Sequence, residues 1–302
     1  MKSVLKINEL AREMPHQLIE YSEKQYHDRL DEVAKKIFDD EDKRIIMLAG
    51  PSASGKTTSA KLISKKLSAL GAQTYTISLD DFYRNRSETV DENGEPDFES
   101  VNALDIDLIK LCITELLTKG ETELPLFDFV DGVRMDEKKH ISLKRNDIVI
   151  FEGIHALNPV ITQSLPSENL LRLYVSVSSR ISASNGEIIM SKRDLRFVRR
   201  LVRDFYHRAC PAQRTFELWG AVLEGEDKYI FPFSKTADVR IDSFHSYEPC
   251  IFKALAQPLL EGIGTDSEFY VDAQRMIKKL SLFEVMDTSL IPETSLLNEF
   301  LR

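Results

Sequence analysis

A chain of 302 residues with 42% hydrophobic content can bury one large core, or one core with appendages. A formal net charge of −9 argues against non-specific binding to nucleic acid or to an anionic membrane, because phosphates would be repelled overall. No apolar run reaches the length of a membrane span, MKSVLKINEL lacks the apolar stretch of a secretory signal, and the scattered Cys112, Cys210 and Cys250 offer neither a disulfide framework nor a zinc site, so a cytoplasmic location is expected.

Residues 1–43 read as a helical leader. Leu18, Tyr21, Leu30, Val33, Ala34 and Ile37 form a loose apolar stripe, and the charged run from Asp39 to Arg44 ends it. From Arg44 the pattern changes: RIIMLAG is short, apolar and rich in β-branched residues, as expected of a strand buried on both faces of a parallel sheet. The next residues, Gly50-Pro51-Ser52-Ala53-Ser54-Gly55-Lys56-Thr57, match G-x-x-x-x-G-K-[ST] in full, with Thr58 behind them and a helix expected over 55–70. The glycines let the backbone turn tightly so that successive N–H groups face a phosphate, and the helix adds its positive dipole end. Lys56 is placed to reach the β- and γ-phosphates, and the Thr57 hydroxyl to ligate Mg²⁺; ATP and Mg²⁺ are the implied cofactors.

The second strand, TYTISL over 74–79, ends at Asp80 and Asp81. A carboxylate there lies across the cleft from the γ-phosphate and can take the proton of an attacking hydroxyl; Asp80 is the expected base, whereas Asp81 can equally be solvated or cap a helix. A helix follows over 105–118, then the strand DIVIFEG over 147–153, whose closing acid Glu152 is a second candidate metal ligand. Neither an N-K-x-D base-reading motif nor a D-x-x-G switch at the strand end is found, which disfavours a GTPase switch. LLRLYVSV over 170–177 and ADVRI over 237–241 complete the strands, with helices expected over 192–208 and 247–260. The alternation predicts an α/β fold, a doubly wound parallel sheet of the P-loop NTPase type flanked by helices, with a kinase domain over 44–262 and a C-terminal extension over 263–302 that packs back on it.

The segments GPSASGKTT, ISLDDFYR, PDFESVNALDIDLI, LPLFDFVDGVR, IVIFEGIHALNP, RRLVRDFYHR and FPFSKTADVRI, in that order, resemble the uridine kinase and phosphoribulokinase family of P-loop kinases. FEGIHALNP and the closing SLLNEFLR are similar to a bacterial branch whose members often carry a TGS domain ahead of the kinase; only the helical leader stands in that place here. The resemblance implies that Asp80 is the catalytic aspartate and that Thr57 and Glu152 hold Mg²⁺ with Asp80 close by. It further implies that Glu99 grips the sugar where uridine kinases carry an aspartate, that Arg134 lies near the sugar, and that Tyr83 and Phe127 line the acceptor pocket. KRDLRFVRRLVRDFYHR resembles the family's lid, about residues 190–210, with Arg200, Arg203 and Arg208 closing over the triphosphate and Arg203 helping catalysis. A lid that excludes water sends the phosphate to the metabolite and away from hydrolysis.

Two departures bear on the acceptor. Phe127 and Gly132 stand where well-known uridine kinases read the pyrimidine with a hydroxyl and a histidine, and losing polar readout usually changes specificity strongly. SASNGEIIM, over 182–190, is also more polar than the family pattern. The expected function is therefore ATP-dependent phosphorylation of a small hydroxyl-bearing metabolite, a uridine- or cytidine-like nucleoside first. The alternatives are another polyol or sugar-like acceptor, or a nucleotide-binding regulator with weak ATPase activity. No nucleic-acid or membrane partner is expected, and self-association is left open. His155 reads more readily as structural than as a ligand, and Trp219, Phe231 and Phe233 as core more readily than as an adenine pocket.

Overall fold

The computed structural model describes residues 2–89 and 99–301. The leader is two helices, α1 (Val4–Glu13) and α2 (Pro15–Phe38), divided at Met14 because Pro15 opens the second, where its missing N–H costs nothing. Then come β1 (Ile45–Ala49), α3 (Lys56–Ala69), β2 (Thr74–Ser78) and α4 (Ile106–Thr118). A hairpin of β3 (Glu121–Asp128) and β4 (Val133–Ser142) leads to β5 (Ile148–Glu152), the short α5 (Pro159–Thr162) and β6 (Leu170–Ser176). The small β7 (Ile181–Ser182) and β8 (Ile188–Met190) precede α6 (Lys192–Arg208) and α7 (Ala212–Tyr229). The chain closes with β9 (Val239–Asp242), α8 (Glu248–Glu261), α9 (Tyr270–Ser281) and the short α10 (Asn298–Leu301).

Five parallel strands form the central sheet in the order β2-β5-β1-β6-β9. β1 lies in the middle; its helix crosses toward β2, whereas β6 leads on to β9 at the other edge. A crevice therefore opens beyond the carboxyl ends of the central strands. The register aligns those ends, for Glu152 pairs with Leu48 of β1 and with Ser78 of β2, which brings the phosphate loop, Glu152 and Asp80 to one rim.

β1 is buried on both faces, as its apolar run requires. Ile46 and Leu48 point into a core shared with α2, α3, α6, α8 and the C-terminal segment, while Ile45, Met47 and Ala49 point into a second core shared with α4 and the hairpin. Leu18, Leu30, Val33, Ala34 and Ile37 of the leader join the first core, but Tyr21, expected on the same stripe, is exposed. Leu296, Leu297 and Phe300 of the tail join it too.

The hairpin, α7 and α9 were not anticipated as elements. β4 carries almost no period-2 signal: in VRMDEKKHIS only Ile141 is buried, so the strand is held by pairing to β3 and not by an apolar face. α6 spans the predicted lid helix, its start fixed by a reciprocal capping box between Ser191 and Asp194. One face of it, with Leu195, Val198, Leu201 and Val202, is buried in the core.

Candidate active site

The phosphate loop is built by close approach. A Cβ on Gly50 would lie 2.2 Å from the Val175 carbonyl oxygen, so only glycine fits there. Ala53 (φ 56°) and Gly55 (φ 82°) take the left-handed conformation that turns successive amides inward. α3 then begins at Lys56 with its first N–H groups free of intrahelical partners, while Ser59 N already bonds to Gly55 O at 2.9 Å.

The Thr57 hydroxyl donates to Glu152 Oε1 at 3.0 Å. A hydroxyl and a carboxylate this close, beside a phosphate cradle, form a hard oxygen donor pair of the sort Mg²⁺ takes, with water and phosphate oxygens filling its octahedron. Among the described residues no cluster of three or more His, Cys, Asp or Glu side chains could hold a metal by itself, so an ion here would depend on the nucleotide as a ligand. Burial raises the Glu152 carboxyl above its ordinary range; Lys56 and the Thr57 hydrogen bond pull it down, and Asp80 and Glu299 push it up.

Asp80 is half-buried at the start of a short 3₁₀ turn whose cap is the Ser78 hydroxyl, accepting from Asp80 N at 3.2 Å. Burial raises its carboxyl, against the pull of Lys56 and of Arg208. Asp81 is raised by burial and then by Asp80, with Lys139 opposing. Lys56, Asp80, Glu152 and Arg208 thus share one electrostatic neighbourhood across three strand ends and α6.

The arginines divide into two sets. Arg200 reaches the loop itself, Nη1 donating to Ser52 Oγ at 2.8 Å. The buried carboxylate of Asp204 gathers Arg200 (3.1 Å), Arg203 (3.0 Å) and Arg208 (3.6 Å), holding three guanidinium groups together beside the phosphate loop. Sequence reasoning missed the second set, Arg196 and Arg199, which are buried under the loop. Arg196 donates to Ser52 O at 2.9 Å and forks onto Glu226, whose carboxylate also accepts from Ser52 N at 3.2 Å. Arg199 donates to Ala53 O at 3.3 Å and forks onto Glu248. A signal was present: positions 196, 199, 200 and 203 follow the i, i+3, i+4, i+7 spacing of one helix face.

On the acceptor side the expected residues are partly committed elsewhere. Arg134 binds Asp105 at 3.0 Å and the carbonyls of Phe82 and Tyr83 at 3.1 Å, so its guanidinium ties the hairpin to the Asp80 turn. Burial opposes but does not overcome these contacts, and the Asp105 carboxyl sits below its ordinary range. Tyr83 and Phe127 are buried with ring centres 5.9 Å apart, and Phe129 lies beyond them, half of it exposed. Glu99 lies against Gly225 of α7; Asp97 and Phe98 of the same motif lie outside the described residues. His155 is buried beside Tyr229, and burial pulls its imidazole down to about 4, helped by Lys56 and opposed by the nearby Glu99 backbone. Trp219 packs on Phe197 at 5.5 Å and beneath Arg196.

A doubly wound sheet with this loop at the end of its central strand defines a protein of the P-loop NTPase type. More narrowly, the chain belongs to the phosphoribulokinase and uridine kinase family, whose model matches residues 45–248. A uridine kinase of Staphylococcus aureus (strain JH9) is 29% identical over 199 residues, covering 65% of this chain and 86% of its own. A crystal structure from Silicibacter sp. TM1040, described as a candidate fructose transport system kinase, shares the fold at a TM-score of 0.50 and 16% identity, over 70% of this chain and 98% of its own. Among the described residues no helix is long and apolar enough to cross a membrane.

Proposed function

We propose that this chain transfers the γ-phosphate of ATP to a hydroxyl of a small metabolite in the cytoplasm, with a uridine- or cytidine-like nucleoside the first acceptor to test. Residues 44–262 form the kinase unit in this reading. The observation that carries it is the Thr57–Glu152 contact at 3.0 Å on a full phosphate loop, with Asp80 and Lys56 in the same neighbourhood.

Asp80 would orient the acceptor hydroxyl and take its proton; burial raises that carboxyl, which makes its ionised form a stronger base than an exposed aspartate. Lys56, the loop amides and the arginines held by Asp204 would position the phosphates and offset charge as it develops on the transferring group. Thr57 and Glu152 would hold Mg²⁺, with Asp80 close by, and the bound ion supplies further neutralisation of phosphate charge.

The nucleoside reading draws on the family and on the name of the Staphylococcus aureus relative. One feature favours a second reading, a polyol or sugar-like acceptor: Phe127 packs against Tyr83, and Gly132 sits at the hairpin turn, so neither position 127 nor position 132 offers a side-chain hydrogen bond to a base. ADP release measured with a panel of nucleosides and polyols decides between them. Stimulation by uridine or cytidine supports the first reading, and stimulation by a polyol alone the second. Slow turnover indifferent to every acceptor would refute kinase activity on such metabolites.

A further inference from the structure

The C-terminal segment lies beyond the family match at 45–248, yet it sits on the phosphate loop. Glu299 of α10 accepts a hydrogen bond from Thr58 N at 3.2 Å. Thr58 stands in the first turn of α3, one of the few backbone donors there without an intrahelical partner, and first-turn amides after a phosphate loop are those that cradle the α- and β-phosphates. A carboxylate therefore rests where a phosphate oxygen belongs.

Three further contacts hold it there. The buried Leu296 packs so tightly over Gly55 that a Cβ on that glycine would come within 2.4 Å of a leucine methyl. Phe300, fully buried, covers the Arg199 guanidinium at 5.2 Å, and that arginine binds Ala53 O of the loop. Ser295 shares a hydrogen bond with Tyr247 at 3.1 Å, and Tyr247 in turn bonds to the buried Glu23 of the leader. The carboxylate is thus delivered by an anchored segment.

We propose that the C-terminal segment is a nucleotide-responsive latch, in which Glu299 accepts from a phosphate-binding amide in the first turn of α3 and must be displaced when a nucleotide binds. The inference rests on the reading of residues 50–58 as a nucleotide site. Two anions cannot share one amide donor, and the remaining negative charge of Glu299 also opposes a polyphosphate nearby. Electrostatic origin makes the effect larger at low ionic strength. In the empty protein the same carboxylate steadies the positive end of α3, so the latch trades stability of the free state against nucleotide affinity.

The test uses the full chain carrying Glu299→Gln, which keeps the shape and removes the charge at a half-exposed position. The dissociation constant for ADP with Mg²⁺ is measured at low and high salt, together with the thermal midpoint of the empty protein. The latch predicts ADP binding tightened by about fivefold to tenfold at low salt, a smaller gain at high salt, and a slightly lowered midpoint. In the wild type it also predicts faster amide hydrogen exchange at residues 295–301 when ADP is added. Equal or weaker ADP binding by the variant would overturn the latch while leaving the nucleotide site standing. Absence of ADP binding by both proteins would overturn the nucleotide site and the latch with it.

Discussion

Replacing Glu248 with alanine removes one carboxylate from a place where nothing else can neutralise Arg199. The guanidinium is 0% exposed and Glu248 1% exposed. Glu248 accepts from Arg199 Nε at 2.7 Å and Nη2 at 2.6 Å, and from His245 N at 2.6 Å. After the substitution Arg199 keeps the Ser243 carbonyl at 2.7 Å, the Ala53 carbonyl at 3.3 Å and the face of Phe300, none of which carries a charge. Stranding a buried charge costs about 3–5 kcal/mol, and the surviving carbonyls place the expected loss near the lower end, about 3 kcal/mol. That is a large fraction of the ~5–15 kcal/mol that holds a typical domain folded. Urea unfolding at equilibrium reads it directly as a lower midpoint at unchanged slope. Arg199→Met combined with Glu248→Leu should recover most of the loss, because no charge then remains to be desolvated. A loss below about 1 kcal/mol in the single variant, or a double variant no better than the single, would refute the reasoning.

Gly55→Ala asks a left-handed residue to accept a Cβ 2.4 Å from Leu296, so strain of about 1–2 kcal/mol adds to overpacking of about 1–3 kcal/mol; an unchanged thermal midpoint would contradict this. The raised Asp80 carboxyl has two consequences. As a base it works only when ionised, so kcat/KM should rise with pH along a limb displaced above the ordinary carboxylate range, and a limb within that range would argue against Asp80 as the base. For stability the sign is opposite: a carboxyl whose folded pKa is raised contributes fully only below its unfolded value, and the contribution is lost as pH rises through the folded one. Asp80→Asn should therefore raise the thermal midpoint at neutral pH and leave it little changed in acid, which differential scanning at two pH values checks.

The middle of the sheet was legible because β1, β5 and β6 are buried almost throughout and announce themselves as short apolar runs, while the edge strands β2 and β9 are only partly buried; all five lie within or beside the stretches expected. α6 was legible through its helical pattern and its arginines, and its capping box emerged only with the fold. The β3–β4 hairpin was not, because β4 is an exposed, charged strand whose structure comes from its partner. Thr57, Glu152 and Asp80 were readable as residues, each at the end of a strand or in the loop, and the register brings them to one rim. Glu226, Glu248 and Glu299 were not readable. Each lies far along the chain from the loop it touches, and an isolated glutamate on a helix looks the same whether it meets water or a backbone amide. Arg134 shows the converse limit, since the residue expected beside a sugar spends its guanidinium on Asp105 and two carbonyls.

Asp80, facing a bound nucleotide, is the group proposed to take the acceptor's proton. The most direct measurement is acceptor-stimulated ADP formation by Asp80→Asn, alongside its affinity for ATP with Mg²⁺. The account predicts that ATP binding stays within about threefold of the unaltered chain while transfer falls by at least about a hundredfold. A variant that still phosphorylates the acceptor at close to the original rate would contradict it.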